Sequence, residues 1–194
     1  VFLGSILSRK AADRDDSNLA AEAEFNLRQG ITLAPKLAGP HIAMAEHNGR
    51  NRRWKKACES YYQAIEIQPK HIGALQGLIV CLAAQDKWTQ AESIVRRRLD
   101  ENVDETGIET FLLGQVLEGQ KKPAEALTTY RTALAINPTI EVALGRVIRI
   151  LLKDRLVDEA LAEVRKACEG HPKSAYYPVA IGELLLAKKD FEGA

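Results

Sequence analysis

The sequence lacks the short motifs and strand patterns by which many enzymes are recognised. It contains no G-x-G-x-x-G cluster, no phosphate-binding P-loop, no G-x-S-x-G and no H-E-x-x-H. Alternating runs of β-branched residues, which predict strands, are missing as well. We therefore expect no β-sheet, no cofactor, no metal ion and no catalytic site within this chain. Adjacent carboxylates such as Asp158 and Glu159 begin a predicted helix, where the helix dipole explains them.

Cysteine is scarce, and its spacing excludes the usual cysteine chemistry. Cys58, Cys81 and Cys168 form no CxxC pair and are odd in number. They lie at unrelated places, so we interpret them as small apolar fillers and not as disulfide partners or metal ligands. This usage favours a reducing compartment such as the cytoplasm. A membrane-anchored or periplasmic location stays open, through a segment outside this sequence.

An excess of charge of one sign is also absent. The chain has 27 basic and 26 acidic residues, so long-range attraction to nucleic acid is not built into it. One local exception is the segment 50–56, RNRRWKK, with five basic residues around Trp54. Such a segment can stack a base and contact phosphates, or it can be a solvated loop whose tryptophan folds back onto the protein. Arg96 to Arg98 form a second cluster. Acidic residues balance both, so nucleic acid is the least favoured partner.

No apolar run is long enough to span a bilayer. The longest at the start, residues 1–7 (VFLGSIL), has seven residues where a spanning helix needs about 20. It is either the end of a longer anchor or signal segment, or the first helix of a degenerate first repeat. Because the sequence does not begin with Met and ends in a helix opening at 190–194 (DFEGA), we expect the natural protein to continue beyond both ends.

The chain does contain a regular internal repeat. An alanine in the same local context recurs at spacings of 34, 34, 35, 34 and 34 residues. Twelve residues after five of these alanines, the sequence has a proline in four cases and Val103 in the other, so most units end with a residue that stops a helix. The recurring alanines are Ala23, Ala57, Ala91, Ala126, Ala160 and Ala194, and the prolines are Pro35, Pro69, Pro138 and Pro172.

The clearest copy of the repeat is the segment Phe111 to Pro138, which consists of two amphipathic runs joined at residues 120–123. Leu113, Gly114 and Leu117 share one face of the first run at helical spacing. The second run reads A-L-x-x-Y-x-x-A-L-x-I-N-P and ends at Asn137-Pro138. Residues 57–69, ACESYYQAIEIQP, are nearly as regular. Each copy therefore predicts a helical hairpin.

A 34-residue helix-turn-helix with these residues resembles the tetratricopeptide repeat (TPR) family. The resemblance implies an all-α, right-handed superhelical solenoid in which Gly114, Ala126 and Ala133 let the two helices approach, while Leu113, Leu117 and Tyr130 fill the space between hairpins. We expect a single array over residues 1–194. Its predicted repeats are 4–37, 38–71, 72–106, 107–140, 141–174 and a partial 175–194.

Three local features depart from the regular pattern. Ser17 is predicted to cap the helix that follows the turn 13–17. Arg98 stands where the other repeats have alanine or glycine, and we expect its stem to lie along a neighbouring helix with its charge in water. The segment 102–106 is predicted to hold the extra residue of the 35-residue spacing.

The resemblance also implies where a partner binds, because the first helix of each TPR hairpin lines a concave groove. Counting from the Gly114 position identifies the predicted groove residues. Phe111, Val80 and Ile42 are expected to make apolar contacts. Arg146, Arg149 and Lys153 form a basic strip that suits an acidic residue of the partner. Neither the carboxylate clamp nor the asparagine ladder of specialised TPR proteins is reproduced. The predicted groove residues are Ile42, Glu46, Arg50, Gln76, Val80, Phe111, Gln115, Arg146, Arg149 and Lys153.

Two functions fit these features. The first is a non-enzymatic scaffold whose groove accepts a peptide or helix of another protein, as part of a multiprotein assembly. The alternative is the targeting or substrate-presenting region of a larger enzyme or envelope complex. A last repeat that leaves Ile181 and Leu185 uncovered also predicts self-association.

Overall fold

The computed structural model describes residues 1–14, 16–170 and 174–192, and within these ranges it contains eleven helices and no strand. Pro172 and Ala194 of the repeat series lie outside the described residues, as do Asp15, His171, Lys173 and Gly193. The all-α prediction is confirmed. The helices are α1 Phe2–Arg14, α2 Ser17–Leu33, α3 Ala38–Arg50, α4 Trp54–Ile67, α5 Ile72–Ala83, α6 Trp88–Glu101, α7 Ile108–Gly119, α8 Pro123–Ile136, α9 Glu141–Lys153, α10 Val157–Gly170 and α11 Tyr176–Glu192.

The chain divides into two compact units, residues 1–91 and residues 92–194. In unit 1, α1 packs on α2 and α3 packs on α4, and α5 follows against α4. In unit 2, α7 pairs with α8, α9 contacts α8 and α10, and α11 packs on α10. The boundary falls inside α6 and not between two predicted repeats. A single array over the whole chain stays a prediction.

The first apolar run lies in the helix α1, which packs on α2. That it belongs to a degenerate first repeat stays a prediction. Among the helices that the structure describes, none combines the length and the apolar character that crossing a membrane requires.

The recurring alanines lie in the core between packed helices. Ala23, Ala57, Ala91, Ala126 and Ala160 are all fully buried. A larger side chain at these positions would separate the packed helices, which is why the 34-residue signal is carried by a small residue.

Four hairpins turn in the same way. In each, one residue with a positive φ follows the first helix, and the next N–H donates to the carbonyl oxygen five residues earlier, as in a Schellman cap. For example, Lys121 has φ of 62° and Lys122 N–H donates to Leu117 O over 3.0 Å. Glycine is the residue that favours this conformation, yet none of the four is glycine. The four residues are Arg52, Asp86, Lys121 and Arg155.

The connection between α6 and α7 is longer than the others, as predicted. It has six residues, 102–107, whereas 34–37, 68–71 and 137–140 have four. Gly107 takes φ of 72° there, and a Cβ on it would be 2.8 Å from the carbonyl oxygen of Ala133. Asp104 accepts hydrogen bonds from the N–H and the hydroxyl of Thr110, both at 2.8 Å, and so holds the start of α7.

Two sequence predictions about polar residues are wrong. Ser17 is not the N-cap of α2, because the Asp16 carboxylate accepts from the N–H groups of Asn18 and Leu19 and so performs that role. The charge of Arg98 does not lie in water. Its guanidinium is buried and forms an ion pair with the buried carboxylate of Glu109 on α7, because the longer connection brings an acidic residue within its reach.

The cysteines are less separate than their spacing indicated. Gln85 Nε2 donates to Cys58 Sγ at 3.3 Å and to the carbonyl oxygen of Cys81 at 3.0 Å, so both residues contact one side chain. All three cysteines are free, and Cys58 and Cys81 are buried. Burial raises the pKa of Cys81 to about 12, which leaves its thiol protonated and unreactive.

Candidate functional site

Four of the ten predicted groove residues come together in unit 1. Glu46 and Arg50 from α3 and Gln76 and Val80 from α5 line one open groove of about 510 Å³. We call it the α3–α5 groove. It is lined by Glu46, Gly49, Arg50, Trp54, Tyr61, Gly73, Gln76, Gly77, Val80 and Cys81.

The α3–α5 groove combines an apolar wall with a polar rim. Val80 is 55% exposed although it is aliphatic, and Trp54 is half-buried beside it in the lining. At the rim, Arg50 Nη2 and Glu46 Oε2 form an ion pair at 3.2 Å. Burial raises the pKa of Tyr61 to about 12, so its phenol stays neutral. A groove of this composition suits an apolar side chain flanked by polar groups.

Glycines keep this groove open. Gly77 is required by the fold, because a Cβ on it would be 2.2 Å from the Tyr61 ring. Gly49 is not required in this way, since a Cβ there would meet only the Trp54 ring, at an ordinary 3.7 Å. Its missing side chain therefore leaves room for a ligand backbone beside Trp54.

Three other predicted residues are less available than expected. Phe111 is 8% exposed and packs against Tyr130 with ring centroids 5.7 Å apart, so its predicted role in apolar contact with a partner is wrong. It is a core residue because its face of α7 packs on α8. Ile42 is half-buried and does not line the groove, and Gln115 is half-buried on α7.

Two residues of the predicted basic strip on α9, Arg146 and Arg149, already have an anionic partner. Arg146 Nη1 donates to Glu118 Oε2 at 3.4 Å, and Arg149 Nη2 also bonds the Glu118 carboxylate. The Tyr130 hydroxyl donates to Glu118 Oε2 at 2.9 Å. Lys153, at the end of α9, is exposed. Glu118 was not predicted as a site residue, because a glutamate one turn beyond Gly114 is typical of an ordinary helix surface.

Four of the eight basic residues in the two clusters form ion pairs with acidic neighbours. Arg53 pairs with Glu24 at 2.7 Å and Arg50 with Glu46. In the second cluster, Arg96 pairs with Glu92 at 2.7 Å and Arg98 with Glu109. Ion pairing leaves these guanidinium groups with fewer free donors for a phosphate. Nucleic acid as the least favoured partner stays a prediction.

A buried polar network within unit 1 was not predicted. His47 is almost fully buried, and its Nδ1 lies 3.0 Å from Ser8 Oγ. Its Nε2 lies 3.9 Å from Glu24 Oε2. Burial lowers the pKa of His47. The pKa of Glu24 is lowered to about 2, mainly by the hydrogen bond from Arg28 and further by the one from Arg53. His47 therefore holds its place as a neutral ring.

Asn48, next to His47, is 3% exposed, and its Oδ1 has no hydrogen-bond partner. A signal for it was present in the sequence, because the repeat places Leu82, Leu117 and Leu151 at the equivalent positions and all three are buried. An asparagine in a series of buried leucines indicates that apolar packing alone does not explain the residue at this position.

Across the described parts of the chain, no group of three or more histidine, cysteine or acidic side chains could hold a metal ion. His41 and His47 have separate partners, since the His41 ring lies 3.0 Å from Gln63 Oε1 and 3.2 Å from Pro35 O.

Residues 111–140 match the family model for the tetratricopeptide repeat. A search among curated proteins gave no match. Several solved structures share the fold. PilF of Pseudomonas aeruginosa is 21% identical, with 96% of this chain and 84% of that chain covered and a TM-score of 0.64.

Two further structures are similar over most of their length. TTC0263, described as a thermophilic TPR protein in Thermus thermophilus, is 19% identical to this chain. The match covers 94% of this chain and 99% of that chain, with a TM-score of 0.60. YrrB, described as a TPR protein with an unusual peptide-binding site, is 21% identical, covers 84% of each chain and has a TM-score of 0.53. The TPR fold is generally that of a non-catalytic interaction scaffold. One segment of this chain therefore matches the tetratricopeptide repeat, and the chain shares the fold of these solved tetratricopeptide repeat structures.

Proposed function

We propose that this protein is a non-enzymatic scaffold that binds a peptide segment of another protein in the α3–α5 groove. The observation that carries the proposal is the convergence of Glu46, Arg50, Gln76 and Val80 from two successive repeats on one open groove. The peptide-binding site described for YrrB supports the same mode of action.

The groove favours a peptide with one apolar side chain beside polar positions. Val80 and Trp54 offer apolar surface, and the low relief at Gly49 lets the peptide backbone come close. At the rim, Gln76 can both donate and accept hydrogen bonds, while the Arg50–Glu46 pair orients neighbouring polar groups. Buried apolar contact supplies the affinity, and the rim supplies the register.

A displayed random-peptide library selected against the full chain would provide the probe for this proposal. Val80→Glu places a charge in the apolar wall and should weaken the selected peptide at least about tenfold, measured by fluorescence anisotropy, because a charge would have to be desolvated on binding. The matched control is Val142→Glu on α9, since Val142 is similarly exposed at 61% and lies outside the groove. Equal affinity for both variants and the wild type would reject the groove as the binding site.

A further inference from the structure

We propose that the α7–α9 surface of unit 2 recognises an acidic side chain of a partner peptide, and that Glu118 is an internal ligand occupying this place in the free protein. The inference rests on the proposed function, because it assumes a peptide-binding scaffold and names the chemistry of one contact. We define the Glu118 site as Glu118, Tyr130, Arg146 and Arg149.

The donors of the Glu118 site are arranged around a carboxylate. Glu118 Oε2 accepts from the Tyr130 hydroxyl at 2.9 Å and from Arg146 Nη1 at 3.4 Å, while Oε1 accepts from Arg149 Nη2. The side chains come from α8 and α9, and the acceptor comes from α7. Glu118 therefore shows which group the site binds, since two guanidinium groups and one hydroxyl converge on a single carboxylate.

Part of this site is buried and part is exposed to water. Tyr130 is fully buried, with its ring held over Gly114, and burial together with the Glu118 bond raises its pKa, so it remains a proton donor. The Arg149 side chain, by contrast, is 56% exposed. An ion pair that faces water contributes little stability, so an incoming carboxylate can take Arg149 while Glu118 keeps Tyr130.

The surface also carries more positive than negative charge. Two arginines share the one carboxylate of Glu118, and Lys153 is exposed at the end of the same helix and forms no ion pair with any described residue. A guanidinium group has five N–H donors, so Arg149 retains donors after pairing with Glu118. An acidic peptide therefore meets a cationic surface whose affinity is limited by an internal competitor.

The decisive experiment titrates the full chain with Ac-Glu-Glu-Glu-NH2 and compares Ac-Gln-Gln-Gln-NH2, following the arginine Nε–Hε signals by NMR. We expect a saturable shift of the Arg149 signal with the triglutamate alone. Glu118→Gln should tighten triglutamate binding about fivefold, because it removes the competing charge. Arg149→Gln removes this reporter, so the variant is followed at the Arg146 Nε–Hε signal, which should show no saturable shift.

A matched control separates competition from general electrostatics. Glu163→Gln removes one negative charge from the same unit, where Glu163 pairs with Arg131 at 2.6 Å, and should leave the affinity within twofold of the wild type. An equal gain from Glu163→Gln, no saturable shift of Arg149, or the same shift with triglutamine would overturn the proposal. These outcomes leave the Val80→Glu result untouched, so this inference can fail while the α3–α5 groove stands. Far-UV circular dichroism of each variant checks that the helices are retained.

Discussion

Gly114 on α7 lies directly beneath the ring of Tyr130 on α8, so that a Cβ at residue 114 would be 2.5 Å from Tyr130 Cε1. The Tyr130 ring is fully buried, and its hydroxyl is held by Glu118. The glycine of the L-G pair is therefore a requirement of this helix crossing.

We predict that Gly114→Ala lowers the free energy of unfolding by about 1–3 kcal/mol, because the added methyl group must displace a packed ring. Urea denaturation would measure it. The matched control is Gly182→Ala, at the equivalent place of the last repeat, where a Cβ meets nothing within 4 Å. That change should be neutral or stabilise by about 0.5–1 kcal/mol, as expected for alanine in an open helical position. A destabilisation of the same size at both sites would contradict this account.

Asn48→Leu should stabilise unit 1 by about 1–3 kcal/mol. The substitution removes a buried carbonyl oxygen that has no hydrogen-bond partner and inserts the residue found at Leu82, Leu117 and Leu151. Thermal unfolding would show the gain as a higher midpoint. The reciprocal change, Leu82→Asn, should destabilise strongly, because it buries an amide in a fully apolar position. A lower midpoint for Asn48→Leu would show that the asparagine has a packing role.

Arg98→Ala should cost about 3–5 kcal/mol although alanine is the residue of the equivalent positions Ala64 and Ala133. The reason is that Glu109 would keep its charge in a buried place without its cation. Arg98→Ala combined with Glu109→Ala should recover more than half of the loss, since the equivalents of Glu109 are Ala74 and Ala143. A double-mutant cycle with chemical denaturation measures the coupling, and additive losses would mean that the pair does not interact.

Stability should decline as the pH falls below about 6.5, the ordinary histidine pKa, because burial holds the pKa of His47 lower in the folded state. Between these two pKa values, His47 binds a proton in the unfolded chain but not in the folded chain. Protonation therefore lowers the free energy of the unfolded state, and stability is lost as the pH falls towards the folded pKa. His47→Gln should flatten the dependence just below pH 6.5. Glu24, whose pKa falls from 4.5 to about 2, acts in a separate window below pH 4.5. An unchanged slope in His47→Gln would assign the effect to another group.

Periodicity alone located most of the helices correctly. The spacing of the alanines from Ala23 to Ala160 predicted the hairpins, because small residues must recur wherever two helices cross closely, and each described alanine is fully buried. The extra length near residues 102–106 was also readable, since an inserted residue shifts the repeat by one. Ser17 was misassigned because the preceding Asp16 has an equally suitable side chain, and local sequence does not choose between adjacent caps.

The candidate site was only partly predictable. Counting along the repeats placed Glu46, Arg50, Gln76 and Val80 in one groove, but it could not show that Phe111 turns into the core. Nor could it show that Glu118 meets Arg146 and Arg149. Those contacts join residues about 30 apart in sequence, and their existence depends on the crossing of three helices.

What the sequence by itself determined is the repeating unit, a pair of amphipathic helices with small residues at the crossing, because that pattern arises from local spacing and steric size. What only the tertiary structure decided is which charges are paired and which surfaces remain open. Arg98 became a buried ion-pair partner and Arg149 a partly satisfied donor because neighbouring helices brought Glu109 and Glu118 within reach. Hydrogen bonding and ion pairing depend on separations of a few ångströms between distant residues, which periodicity does not specify.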